Sequence, residues 1–285
     1  MRKSDPVLRP FLLLLACALV LLPDPAGAAG PRRIVSLNLC ADEYLIALAD
    51  PAQIAGLTEW ARDPNLSYYA SRAQSLPFTH RSAEEVLMLR PDLVIGAPFG
   101  TRAALAPLSA RGVRMMEMPY DTSLSSIEQT IRQMADAVGH PERGRAIIAA
   151  MRAEMTALGP APGRGRVAAY YQRQGYLTGT GTLVDEMMGR VGLVNLAGRL
   201  GKPALSQLSL EEMALARPDF VIVEDRTAKI TDKGSEMLHH PLLDRAIPAG
   251  HRLDIPQALT VCGGPFYPKA VALLAAQLRA ADRAR

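Results

Sequence analysis

The chain has 285 residues, 49% hydrophobic and 21% charged, a balance that fits two modest globular α/β lobes and excludes a disordered or fibrous protein. Its 32 basic and 28 acidic residues leave a formal charge of +4. That excess is too small and too dispersed to point to nucleic acid.

The N-terminus reads as a secretory signal peptide over residues 1–28. Arg2, Lys3 and Arg9 form a basic start, and Phe11 to Leu22 is an apolar run too short to span a membrane. Pro23 and Pro25 break it, and Ala26-Gly27-Ala28 offers a small-residue cleavage site. Leu14-Leu15-Ala16-Cys17 loosely resembles a lipoprotein box, so lipid anchoring at Cys17 is the alternative to cleavage near Ala28. The chain is expected to be exported to an oxidising compartment. The mature chain keeps Cys40 and Cys262, a pair that an oxidising compartment permits to bond. Two cysteines make neither a disulfide framework nor a zinc pattern.

Arg33 to Leu37 predicts a first strand, followed by Asn38 to Glu43 as the loop entering a helix that carries Tyr44, Leu45 and Leu48. Ile54 to Leu57 predicts a second strand. The segment Thr58 to Arg81, with Trp60, Tyr68, Tyr69, Phe78 and His80, is long for a connection inside an α/β unit, and such loops are often functional. Further on, residues 102–111 predict a helix and Val113 to Met118 a strand. Ser125 to Glu128 predicts a capping box opening a helix. Gly139-His140-Pro141 ends that helix, with Pro141 placed to start the next one, which runs to about Leu158. A second set follows: a strand at Val167 to Tyr171, a helix from Leu183, a strand at Arg252 to Ile255 and a closing helix from Lys269. The expected organisation is an N-terminal lobe over 30–122, a helical connector over 123–160 and a C-terminal lobe over 161–285. The fold class is α/β, two Rossmann-like lobes with parallel sheets joined by a single long helix.

One stretch occurs twice. Ser82 to Ile95 and Ser209 to Ile222 share eight of fourteen residues: the serine, two glutamates, the Arg-Pro-Asp triplet, a valine and an isoleucine. The offset of 127 residues is far longer than a solenoid period and indicates a duplicated domain. Ser82 with Glu85, and Ser209 with Glu212, are spaced as capping boxes. Glu84 and Glu211 sit in the first helical turn without an obvious local partner. Pro91 and Pro218 stop the helices, and short buried strands follow.

Catalytic patterns are missing from the sequence. Gly179-Thr180-Gly181 lacks the third glycine of a dinucleotide fingerprint, and there is no P-loop. The five histidines, His80, His140, His239, His240 and His251, have no ligand spacing for a protein-only metal site, and no nucleophile elbow is present. Several loops carry aromatic residues: Trp60, Tyr68, Tyr69, Phe99, Tyr171, Tyr176, Phe266 and Tyr267. In parallel sheets ligands bind beyond the carboxyl ends of the strands, where these loops would clamp a large, partly apolar ligand. Arg173 and Arg226 would meet its anionic groups. Cys40 and Cys262 follow strands of opposite lobes. They are free thiols, a disulfide across the lobes, or ligands to the metal of a bound chelate.

With these residues placed, the chain resembles the periplasmic substrate-binding proteins of ABC importers for vitamin B12, haem and ferric siderophores. The resemblance rests on Arg33-Ile34-Val35-Ser36-Leu37, the doubled S-x-E-E…R-P-D stretch, the connecting helix and the export signal, and it covers essentially the whole mature chain. It implies a monomeric binding protein and not an enzyme, with a secreted α/β enzyme using the same cleft as the alternative. It implies as partners a permease dimer with its ATPase, docked through the positions that match here Glu84 and Glu211. It also implies ligand contacts at Asn38, Leu39 and Cys40, near Trp60 and Phe99, over Tyr171, Arg173 and Tyr176, and at Cys262 and Phe266. No cofactor is implied, since a metal would arrive inside the bound chelate. Cysteine in both the first and the last loop departs from the family pattern.

Overall fold

A computed structural model describes residues 30–96, 108, 110–224 and 236–284. Residues 1–29, over which the sequence predicts an export signal, together with Phe99, Arg226 and most of the helix expected over 102–111, lie outside the described residues.

The first lobe is a five-stranded parallel sheet in the order β3-β2-β1-β4-β5. Its strands are β1 (Ile34–Ser36), β2 (Ile54–Thr58), β3 (Phe78–Thr79), β4 (Leu93–Gly96) and β5 (Arg114–Glu117). The central strands β1, β2 and β4 are buried along their whole length, as expected for a sheet covered on both faces. The second lobe holds β6 (Val167–Tyr170), β8 (Val194–Asn195), β10 (Phe220–Val223) and β11 (Arg252–Asp254) in the order β11-β10-β6-β8, all parallel. A separate antiparallel pair, β7 (Tyr176–Thr178) with β9 (Leu205–Gln207), lies outside that sheet. The sequence pattern does not predict it.

Helix α1 (Leu39–Leu48) begins directly after Asn38, whose side chain accepts hydrogen bonds from the amides of Cys40 and Ala41. The segment expected as a loop over Asn38 to Glu43 is therefore mostly the first turns of a helix, and Asn38 is its cap. Two short helices follow, α2 (Ala70–Ala73) and α3 (Ala83–Met88). Helix α4 (Leu124–Val138) starts two residues earlier than the expected box at Ser125, because Ser123 and Ser126 cap each other reciprocally. Leu124, Ile127, Ile131, Met134 and Val138 form its buried stripe. Helix α5 (Pro141–Ala157) has proline in its first turn, as expected.

The crossing between lobes uses both of these helices. Helix α4 packs on α1, and α5 packs on α4 and on the last helix. A Cβ on Gly144 would lie 2.6 Å from Ala135 Cβ, so glycine lets α4 and α5 approach this closely. The remaining helices are α6 (Leu183–Arg190), α7 (Leu196–Arg199), α8 (Leu210–Ala216), α9 (Pro241–Ala246) and α10 (Tyr267–Arg283). One continuous core runs from Ile34 and Leu93 in the first lobe through Ile131 and Met151 to Val271 and Ile222 in the second. The connector is part of this core.

The two copies of the duplicated stretch form α3 with β4 and α8 with β10. In each, the aspartate of the Arg-Pro-Asp triplet pins the first strand of its lobe. Asp92 accepts from the amides of Arg32 and Arg33 at 2.7 and 3.0 Å, and Asp219 from the amide of Val167 at 2.7 Å. The arginine of each triplet adopts left-handed backbone, φ 46° at Arg90 and 45° at Arg217, and this ends each helix.

Candidate cleft site

The carboxyl ends of the parallel strands carry the polar and aromatic residues of both lobes. In the second lobe a cavity of about 390 Å³ opens there, lined by Gln172, Arg173, Gln174, Tyr176, Leu205, Glu224 and Gln257. Its polar wall is a chain of hydrogen bonds. Thr178 Oγ1 donates to Gln172 Oε1 at 2.9 Å, Gln172 Nε2 donates to Glu224 Oε1 at 2.7 Å, and the Tyr170 hydroxyl lies 3.4 Å from the same oxygen and 2.9 Å from Thr260 Oγ1. Burial, and then the Glu224 carboxylate, raise the Tyr170 phenol well above its ordinary pKa, so it stays a neutral donor. Tyr176 is 36% exposed and Leu205 60%, giving this wall an apolar face.

In the first lobe the chain leaves β2 into Glu59 and Trp60. Arg81 stacks on the Trp60 ring at 3.6 Å and pairs with Glu59 at 2.9 Å, a cation–π contact reinforced by an ion pair. Its backbone is left-handed, φ 70°, an unusual conformation for a side chain that these two contacts hold in place. Trp60 remains 38% exposed.

Two buried acids of α1 fix the base of this loop. Asp42 accepts from the Thr58 amide at 3.2 Å and from Thr58 Oγ1, and burial pushes its carboxyl up to about 7 against the hydrogen bonds of Ser36 and Thr58. Glu43, also fully buried, is likewise pushed up to about 7 by burial, while Ser67 and the amides of Tyr68 and Tyr69 oppose the shift. Neither Glu43 oxygen closes a hydrogen bond of normal length. Both acids are therefore protonated in weakly acidic solution.

The two lobes are stitched together beside this loop. Cys40 and Cys262 form a disulfide, which settles the three alternatives left by the sequence. Phe266 stacks on Tyr68 with ring centroids 4.8 Å apart. Leu39, Cys262 and Phe266 form a small buried cluster of their own. A Cβ on Gly263 would lie 2.5 Å from Asp121 Cβ, so only glycine lets the last loop approach the start of the connector this closely.

Four expected ligand contacts therefore change character. Cys40 and Cys262 are bonded to each other, and Cys262 and Phe266 are buried. Tyr171 is fully buried in a separate hydrophobic cluster of the second lobe, where its hydroxyl donates to the Leu208 carbonyl at 2.8 Å. Burial pushes its phenol up to about 12. Strand alternation sends Tyr170, not Tyr171, toward the polar wall. Arg173 and Tyr176 do line the cavity, together with Glu224, Gln257 and Leu205, which the sequence reading missed. Glu224 was findable, because it directly follows the last residue of β10. Leu205 and Gln257 carry no local signal. Among the described residues no cluster of three or more His, Cys, Asp or Glu could hold a metal ion, and no helix is long and apolar enough to cross a membrane.

Residues 34–258 match the family model described as periplasmic binding protein. The chain belongs to the periplasmic binding protein family. Its members are binding proteins of ABC importers, and relatives of this kind work in the periplasm. Among solved structures, the periplasmic haem-binding protein RhuT from Roseiflexus sp. RS-1, in apo form, is 30% identical with a TM-score of 0.71, covering 88% of this chain and 99% of that one. A periplasmic haem-binding protein from Pseudomonas aeruginosa is 25% identical with a TM-score of 0.69, covering 87% and 93%. The vitamin B12-binding protein BtuF of Vibrio cholerae shares the fold at 19% identity and a TM-score of 0.69, covering 89% and 98%. A search of curated proteins returns no match. The α/β fold of two lobes with parallel sheets expected from the sequence is the fold of this periplasmic binding protein.

Proposed function

We propose that this periplasmic binding protein is the exported receptor of an ABC importer and that its cargo is a haem-like iron tetrapyrrole. The cavity at the strand ends carries the reading: about 390 Å³ of space with an exposed phenol, an arginine and an apolar rim on one wall. A flat, largely apolar macrocycle gains from aromatic contact, its carboxylates suit the guanidinium of Arg173, and the Tyr176 oxygen is a donor of the kind ferric iron accepts. Trp60, held by Arg81, offers a second aromatic surface in the other lobe. The haem-binding relatives at 30% and 25% identity support this cargo over a corrinoid or a siderophore. Iron enters as part of the cargo, and the chain acts as a carrier without turnover. Release follows docking of Glu84 and Glu211 on the permease.

The test is titration of the purified protein with haemin, cyanocobalamin and a ferric hydroxamate, read by absorbance and calorimetry. Haemin is expected to saturate at one site, and Tyr176→Phe to change the absorbance of the complex. Saturable binding of cyanocobalamin or the hydroxamate with none of haemin overturns the cargo. Turnover of bound haemin overturns the carrier role.

A further inference from the structure

The duplicated stretch repeats one feature beyond its glutamates. Met88 and Leu215 occupy the same position in the two copies, at the ends of α3 and α8. They are 75% and 82% exposed, the most exposed large apolar side chains among the described residues. Each lies four residues after an exposed glutamate, Glu84 or Glu211, and residues four apart share one face of a helix. The opposite face is anchored in both copies, by Val86 and Met213, each fully buried. Both lobes therefore present the same outward pair of one acid and one large apolar group. The side chain of neither Glu84 nor Glu211 hydrogen-bonds or ion-pairs with another described residue.

A single exposed apolar residue needs no explanation. Two at equivalent positions of a duplicated element, each beside a free acid, do. The glutamates set the charge of the occupant, which must be basic, and an anionic lipid surface is disfavoured by the same charge. The duplication sets its symmetry, because two like patches on two lobes fit two like subunits.

We infer that Met88 and Leu215 are the apolar anchors of the permease contact, each seating in a pocket beside the basic group that meets Glu84 or Glu211. This rests on the docking reading given above. An apolar contact next to an ion pair excludes water from it, and such centrally buried groups carry much of the energy of an interface. Methionine and leucine at one position fit pockets of adaptable shape.

The experiment measures binding of the haemin-treated protein to the purified permease dimer with its ATPase in lipid nanodiscs, with protein-free nanodiscs of the same lipid as control. Met88→Ser and Leu215→Ser are each expected to weaken binding about tenfold, and the double variant about a hundredfold, with unchanged Tm and haemin titration. Glu84→Lys with Glu211→Lys is expected to abolish binding. Wild-type affinity in the Met88 and Leu215 variants, with loss in the charge-reversed one, overturns the anchors and leaves the docking reading standing. Undiminished binding of the charge-reversed protein, equal retention on protein-free nanodiscs, or no wild-type binding overturns the docking reading and the anchors with it.

Discussion

In the first lobe Glu85 turns away from its own helix, taking hydrogen bonds from Thr79 Oγ1 and the His80 amide at 2.7 Å each. In the second lobe Glu212, at the same place in the repeat, closes on the Ser209 amide at 2.9 Å and is reached by Lys202. The residues are identical and the chain entering them is not. Left-handed Arg81 folds the first approach back over Glu85, whereas the second arrives from β9 and leaves Glu212 its own cap. The aspartates, by contrast, do one job in both lobes. A local motif fixes an interaction where its partner belongs to the same unit, and gives it up where a neighbouring loop offers better donors.

The disulfide is the strongest test of whether two such similar lobes behave as one unit. Replacing Cys40 and Cys262 by serine opens a link across 222 residues. Chain-entropy arguments put the loss at about 5 kcal/mol. A single calorimetric transition at lower temperature is expected if the shared core holds, and two separated transitions would show that the staple alone unites the lobes.

The lobes also differ in their Asp-Glu pairs. Asp42 and Glu43 are buried, whereas Asp185 and Glu186 are half-buried and reach Asn195 and Arg190. Asp42 and Glu43 have folded pKa values of about 7, raised above the unfolded 3.8 and 4.5. Their contribution is therefore complete below the unfolded values and is lost as pH rises through 7. Stability is expected to fall by on the order of a few kcal/mol between pH 4.5 and 8. Asp42→Asn should flatten part of that slope in urea titrations across pH, and an unchanged slope would show that the acid is ionised throughout.

The triplet aspartates sharpen the comparison at smaller scale. Asp92→Ala frees two amides and is expected to cost about 2–3 kcal/mol, while Asp219→Ala frees one and should cost about 1–2 kcal/mol. Equal losses in denaturant midpoints would mean that the second amide at Asp92 contributes nothing.

Much of the scaffold was legible because buried parallel strands are continuous apolar runs: Leu93-Val94-Ile95 and Phe220-Val221-Ile222 need no tertiary information. Strands β3, β7 and β9 were not, since two or three residues without alternation carry no period. The site was legible by position more than by side chain. Arg173 and Tyr176 follow β6 and reach the cavity, but one step of strand parity separates Tyr171 in the core from Tyr170 at the polar wall. Spacing could not say that Cys40 and Cys262 meet, because their contact depends on how the last loop enters the first lobe.

That meeting sets an order of events in the making of the molecule. Cys40 leaves the ribosome 222 residues ahead of its partner, an interval of roughly 10–45 s at ordinary synthesis rates. Throughout it, Cys40 at the start of α1 can have no native mate. The nascent chain must carry an unpaired thiol past the synthesis of its entire first lobe, and the bond between the lobes cannot form before Cys262 has been made.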